Sequence, residues 1–161
     1  MSHFATALVR TSGTWRSHDV DLDDCESLQD LGDLLDDLGG TVRVLMVEQD
    51  DEYAAIVRMD AGETEPRAFV SDGHAADSYD LAALIADDLN AVATPIDPDD
   101  EDVPRRHESE PFGDAKIVAD LGTAPAELIA MCQHAGTLPV DVLVAVCEKA
   151  GCADAFEAVR A

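Results

Sequence analysis

Three β-prone runs follow one another with only short polar connections: residues 41–47 (TVRVLMV), 53–59 (YAAIVRM) and 66–71 (PRAFVS), separated by EQDDE and DAGETE. A parallel crossover needs a dozen or more residues, so connections this short force neighbouring strands to run antiparallel, as a meander. The first run is apolar at almost every position, which suits a central strand. Pro66 supplies no N–H, so the third strand should start there or lie on a sheet edge.

Two further strands open the chain. Residues 4–10 (FATALVR) and 14–20 (TWRSHDV) flank Thr11-Ser12-Gly13, the pattern of a hairpin. Trp15, the single tryptophan, is expected to anchor a sheet face. Leu28, Leu31, Leu34, Leu35 and Leu38 then recur at spacings of three and four, one apolar stripe of a helix. Ser27 and Asp30 resemble a capping box at its start, and Gly39-Gly40 stops it. Asp30, Asp33, Asp36 and Asp37 fall on its wet faces. A second helix is expected over 78–90, with Leu81, Leu84, Ile85 and Leu89 inside. The fold class these pieces predict is α+β: an antiparallel five-stranded sheet in the order ββαβββα, with both helices on one face.

Composition changes after residue 90. Residues 91–113 hold four prolines and seven acidic side chains and have no apolar period, which reads as a solvated acidic tether. The tail is helical: 114–121 up to Gly122, a helix entered through Pro125 and ended at Gly136, another entered through Pro139 and ended at Gly151, and a last one over 152–160. The predicted organisation is thus an α+β domain (1–90), an acidic Pro-rich linker (91–113) and a helical C-terminal subdomain (114–161). The last piece is small for independent stability, so it is expected to pack on the sheet or to help bind a partner.

Charge narrows the function. The 161 residues hold 35 acidic and 10 basic side chains, a net charge of -25, while hydrophobic residues make up 47% and aromatic ones only 4%. An aliphatic core is therefore available under a strongly negative surface. Such a surface repels phosphate backbones, so direct binding of nucleic acid is not expected. Binding to a basic protein surface is physically easy. The opening MSHFA has no basic region before an apolar stretch, and no apolar run reaches the roughly 20 residues that span a bilayer. A cytoplasmic location without membrane contact is the expectation.

Motifs for chemistry are missing. His3, His18, His74, His107 and His134 show no HxxxH or HxE spacing, and Cys25, Cys132, Cys147 and Cys152 form no CxxC pair. The expected state of the cysteines is four free thiols. Phosphate-binding GxxxxGK[ST] and GxGxxG turns are absent, as is a GxSxG nucleophile elbow. The acidic run at Asp97, Asp99, Asp100, Glu101 and Asp102 lacks the glycine and closing glutamate of an EF-hand. No residue is assigned a catalytic, cofactor-binding or metal-binding role, no cofactor is implied, and the chain reads as a non-enzyme.

Several stretches carry a family resemblance: Phe4-Ala5-Thr6-Ala7-Leu8 with Trp15, then Asp19-Val20-Asp21-Leu22-Asp23-Asp24, Val44-Leu45-Met46-Val47-Glu48 with Asp50-Asp51-Glu52-Tyr53, and Arg67-Ala68-Phe69-Val70-Ser71-Asp72. Ala119-Asp120-Leu121-Gly122, Glu127-Leu128 and Gly136-Thr137-Leu138-Pro139 extend it through the tail. On these the chain resembles the actinobacterial tRNA adenosine deaminase-associated proteins. The match runs along nearly the whole chain, least in the acidic linker. The deaminase itself uses a zinc-bound water and an HxE…PCxxC signature, neither half of which is here, and the family lends no functional residues. The resemblance implies an acidic accessory protein that binds or modulates the deaminase through its basic tRNA-binding surface. The competing expectation is a small enzyme or small-molecule binder that shares only the gene neighbourhood. A third is a homodimer through the edge of the 66–71 strand or through the helical tail.

Overall fold

Alternation along the strands sorts the apolar side chains into two sets, and each set needs its own cover. In the computed structural model, which describes residues 3–73, 75, 78–90, 111–134 and 136–160, helices supply both covers. The strands are β1 (His3–Thr11), β2 (Thr14–Asp19), β3 (Val42–Gln49), β4 (Tyr53–Arg58), β5 (Arg67–Val70) and β6 (Phe112–Gly113). They form one sheet in the order β2-β1-β3-β4-β5-β6, with every neighbouring pair antiparallel. The helices are α1 (Leu28–Asp36), α2 (Asp80–Asn90), α3 (Pro125–Gln133), α4 (Pro139–Ala150) and α5 (Ala153–Arg160).

The expected meander is present as β3, β4 and β5, and β5 begins immediately after Pro66. The count of five strands is corrected to six. Residues 112 and 113, expected to end the linker, add a short strand to the outer edge of β5 opposite Phe69 and Val70. Gly113 allows this because its φ of 101° suits glycine, and a Cβ there would lie 2.4 Å from the Ala68 carbonyl oxygen. The edge of β5 is thereby partly occupied and is not the open homodimer edge anticipated. Residues 91–110, the rest of that linker, lie outside the described residues.

The helices α1 and α2 cover one face, as expected. Leu28, Leu31, Leu35 and Ile85 pack there on Ala7, Leu45, Val47, Ala55, Val57 and Val70. The tail covers the other face. Ile117, Val118, Leu128, Val142, Leu143, Val146 and Phe156 pack on Leu8, Val44, Met46, Ile56 and Phe69. β4 is buried along its whole length and β3 at all but its last residue, which accounts for their near-continuous apolar sequences. Trp15 lies against the tail-side cluster with the Arg10 guanidinium 5.5 Å from its ring centre.

A helix expected over 114–121 is instead a series of turns closing in a 3-10 turn at Ala119–Leu121. Two polar contacts divert it. The Asp114 carboxylate accepts from the Lys116 N–H (2.9 Å), and the Ile117 carbonyl accepts from Arg58 (2.8 Å). That carbonyl is then not committed to a helical bond, and Leu121 N–H donates to Val118 (3.0 Å). Arg58, 2% exposed in the side chain, also takes both oxygens of Asp60 and of Asp120, at 2.7–2.9 Å. This one guanidinium ties β4 to the first turn of the tail. The two carboxylates hold it well above the ordinary arginine range against the opposing effect of burial.

Candidate functional site

The groove that most clearly concentrates charge forms where β2 leaves the sheet. The chain past Asp19 crosses toward α1 carrying Asp21, Asp23 and Asp24, and α1 begins at a well-made cap. Ser27 Oγ accepts from the Asp30 N–H (3.1 Å), and the Asp30 carboxylate accepts from the Glu26 N–H (2.9 Å). This is the anticipated Ser27–Asp30 pairing, with the return bond made one residue earlier than in a regular capping box. Carboxylates at the first turn also oppose the positive end of the helix. The leucine stripe turns inward, so the aspartates of α1 are left outside.

Asp36 leaves this outer row. It pairs with Arg43, which is buried beneath it and also donates to the Gly40 carbonyl (3.3 Å). The others converge. A groove of about 490 Å³ is lined by Asp19, Asp21, Asp24, Asp30, Asp33 and Asp37, with a floor of Val20, Cys25, Leu34 and Leu38 and no lysine or arginine among its lining residues.

A second groove, about 450 Å³, shares Cys25 and lies between the same loop, the end of β3 and the start of α2. Gln49, Ser78, Tyr79 and Asp80 bring polar groups to it beside Leu22, Leu81 and Leu84. Tyr79 donates to Asp50 (3.0 Å), Tyr53 donates to Gln49, and the two rings stand 5.3 Å apart. Burial pushes the Tyr53 hydroxyl up, and the neighbouring Tyr79 and Glu48 add to the effect. A third cavity, about 110 Å³ near the start of α4, is lined by Ser71, Cys132 and Thr137 among others.

The one thiol shared by both grooves is poorly suited to attack. A nucleophile needs a base or a depressed pKa. Burial raises the Cys25 thiol instead, and Asp30, Asp24 and Asp21 raise it further. Among the described residues no three His, Cys, Asp or Glu side chains are grouped to hold a metal ion. His18 is half-buried, and His134 is exposed with Nδ1 3.2 Å from Thr137 Oγ1. His74 and the acidic run 97–102 lie outside the described residues. No helix among those described is long and apolar enough to cross a membrane.

Sequence reasoning found the acidic row of α1 but missed the second groove. Cys25, Gln49 and Tyr79 sit far apart in the chain, and no spacing rule joins them.

A family model described as the Rv3753c-like tRNA adenosine deaminase-associated protein matches residues 3–153. Protein Rv3753c of Mycobacterium tuberculosis (strain ATCC 25618 / H37Rv) is 31% identical over 159 residues, covering 97% of this chain and 86% of that protein. No solved structure matches the chain.

Proposed function

Because the chain belongs to the Rv3753c-like tRNA adenosine deaminase-associated protein family, we propose that it is a non-catalytic accessory protein whose α1 groove docks on the basic, tRNA-facing surface of the deaminase. The observation that carries this reading is the groove lined by six aspartates without a cation. A surface that attracts tRNA must present lysine and arginine. A carboxylate-lined groove of opposite potential steers toward it, and its apolar floor of Val20, Leu34 and Leu38 adds contact area once the charges meet. The role is modulation of tRNA access or support of folding, in the cytoplasm, without direct contact to nucleic acid.

The test mixes the two purified proteins on a sizing column. Co-elution is expected at low salt and loss of the complex as ionic strength rises. Separate elution at low salt would remove the proposal. The second groove favours another reading, because its volume lies in the range of small-molecule sites and Gln49, Ser78 and Tyr79 converge on it. That reading expects a metabolite to raise the melting temperature of the isolated chain.

A further inference from the structure

Two of the four cysteines are brought together by the way α4 ends. Gly151, in the left-handed conformation (φ 87°), reverses the chain, and the N–H groups of Gly151 and Cys152 both donate to the Cys147 carbonyl at 2.9 Å. This six-residue return sets the side chains of its first and last residues against each other, a place where two hydrophobes often meet. Here both are cysteine. Neither is reachable in the resting fold: Cys147 is 0% and Cys152 2% exposed. The Cys147 sulfur also lies 3.4 Å from Met46 Sδ on the central strand, so its position is held from two sides.

The geometry points to a modification site: Cys147 and Cys152 are placed to close into an intramolecular disulfide that fastens α5 to the end of α4. A main-chain bond of 2.9 Å between the two residues leaves their α-carbons near the window of about 4.4–6.8 Å that disulfides span. No backbone has to move far. The other two thiols offer no such pairing, since Cys25 lies on the α1 side of the sheet and Cys132 on α3.

Both thiols lie inside the tail-side apolar cluster, so either can react with a hydroperoxide only once the site opens. In the opened state one of the two is deprotonated and attacks the hydroperoxide. Its thiolate takes one peroxide oxygen, breaking the O–O bond, and becomes a sulfenic acid while hydroxide leaves. The second sulfur then displaces that oxygen to form the S–S bond. The two sulfurs give up two electrons, the peroxide accepts them, and the two thiol protons leave in two molecules of water. Burial makes the step depend on transient opening of α5. That helix rests on β1 and β2 through Phe156, whose ring meets Phe4 edge-on at 5.3 Å. Oxidation would close the path by which the site opened, so the bond should be slow to form and slow to reduce.

The experiment uses the full chain. Folded protein is treated with hydrogen peroxide, remaining thiols are alkylated under denaturing conditions, and peptides are mapped by mass spectrometry without reduction. The expected product has lost two alkylatable thiols and the mass of two hydrogen atoms. Cys147 and Cys152 are joined within it, and dithiothreitol restores both. Hydrogen exchange across 153–160 is expected to slow several-fold in the oxidised form. Cys152→Ser, treated alike, keeps Cys147 alkylatable. The inference is overturned by any of three results: both thiols remain alkylatable at peroxide doses that oxidise a small dithiol, either cysteine is recovered as a sulfinic acid or joined to Cys25 or Cys132, or exchange in α5 is unchanged by the bond.

Discussion

The two helical layers bury comparable apolar faces of one sheet, yet their outer surfaces differ. The α1 and α2 layer presents grooves, one of them lined by aspartate and free of lysine or arginine. The tail layer is tied down by one buried cation, Arg58, and exposes two large apolar side chains, Ile129 (36%) and Leu138 (46%). The tail's buried polar contacts serve its attachment, whereas of the α1 aspartates Asp36 pairs with an arginine and Asp30 and Asp33 accept only from local donors. Where a charge is committed inward, as at Asp36 with Arg43 or Asp120 with Arg58, it supports the fold. Where it is not, it is available to a partner.

Breaking the tail's attachment should have the largest effect. Arg58 is buried and bonds Asp60, Asp120 and the Ile117 carbonyl at once, so Arg58→Ala should lower the urea midpoint steeply and loosen the tail before α1, as read by hydrogen exchange. Loss of protection in both layers together would show that they are one cooperative unit and blunt the contrast. Phe156→Ala leaves a cavity where α5 meets Phe4, and such truncations cost about 3–5 kcal/mol. Its effect should fall on 153–160 first.

pH separates two carboxylates on the tail side. Arg58 holds Asp120 below the usual carboxylate range, chiefly by its hydrogen bonds. A depressed folded pKa contributes stability that is complete above the unfolded value and lost as pH falls through the folded one. Glu48, 5% exposed, is raised mainly by burial, so its contribution has the opposite sign. It favours the fold below the unfolded value and is lost as pH rises through the folded one. Asp120→Asn should therefore lower the urea midpoint at neutral pH and leave it nearly unchanged in acid. Glu48→Gln should raise the midpoint at neutral pH and do little in acid.

Neutralising the α1 row sharpens the other side of the comparison. Asp30 is left intact because it caps the helix. The double change Asp33→Asn and Asp37→Asn should leave the fold within about 0.5 kcal/mol, as for other surface substitutions, and weaken deaminase binding about tenfold at low salt, a loss of roughly 1.4 kcal/mol. Unchanged affinity by titration calorimetry would move the docking surface elsewhere. The smallest effect is expected from Ile129→Ser with Leu138→Ser, which should alter neither the midpoint nor the association. A loss of association there would transfer the contact to the tail.

Much of the architecture was legible in one dimension. Short polar turns dictated the antiparallel meander, the leucine spacing gave α1 its buried stripe, and Ser27 and Gly151 mark helix ends through local backbone chemistry. The candidate groove was legible only in part. The α1 aspartates show in the helical period, but their convergence with Asp19, Asp21 and Asp24 depends on how the β2–α1 loop turns back. The 114–121 segment departs from the helix expected up to Gly122. A long-range arginine contact from β4 took the carbonyl that a helix would have used.

The sequence by itself determined the aliphatic core, the strand directions and the excess of negative charge, since these follow from nearest-neighbour geometry and composition. Only the tertiary structure decided which helices cover which face, that residues 112 and 113 extend the sheet, and which carboxylates remain unpaired. Those outcomes depend on contacts between residues distant in the chain, and no local spacing records which partner a buried face or a buried cation will find.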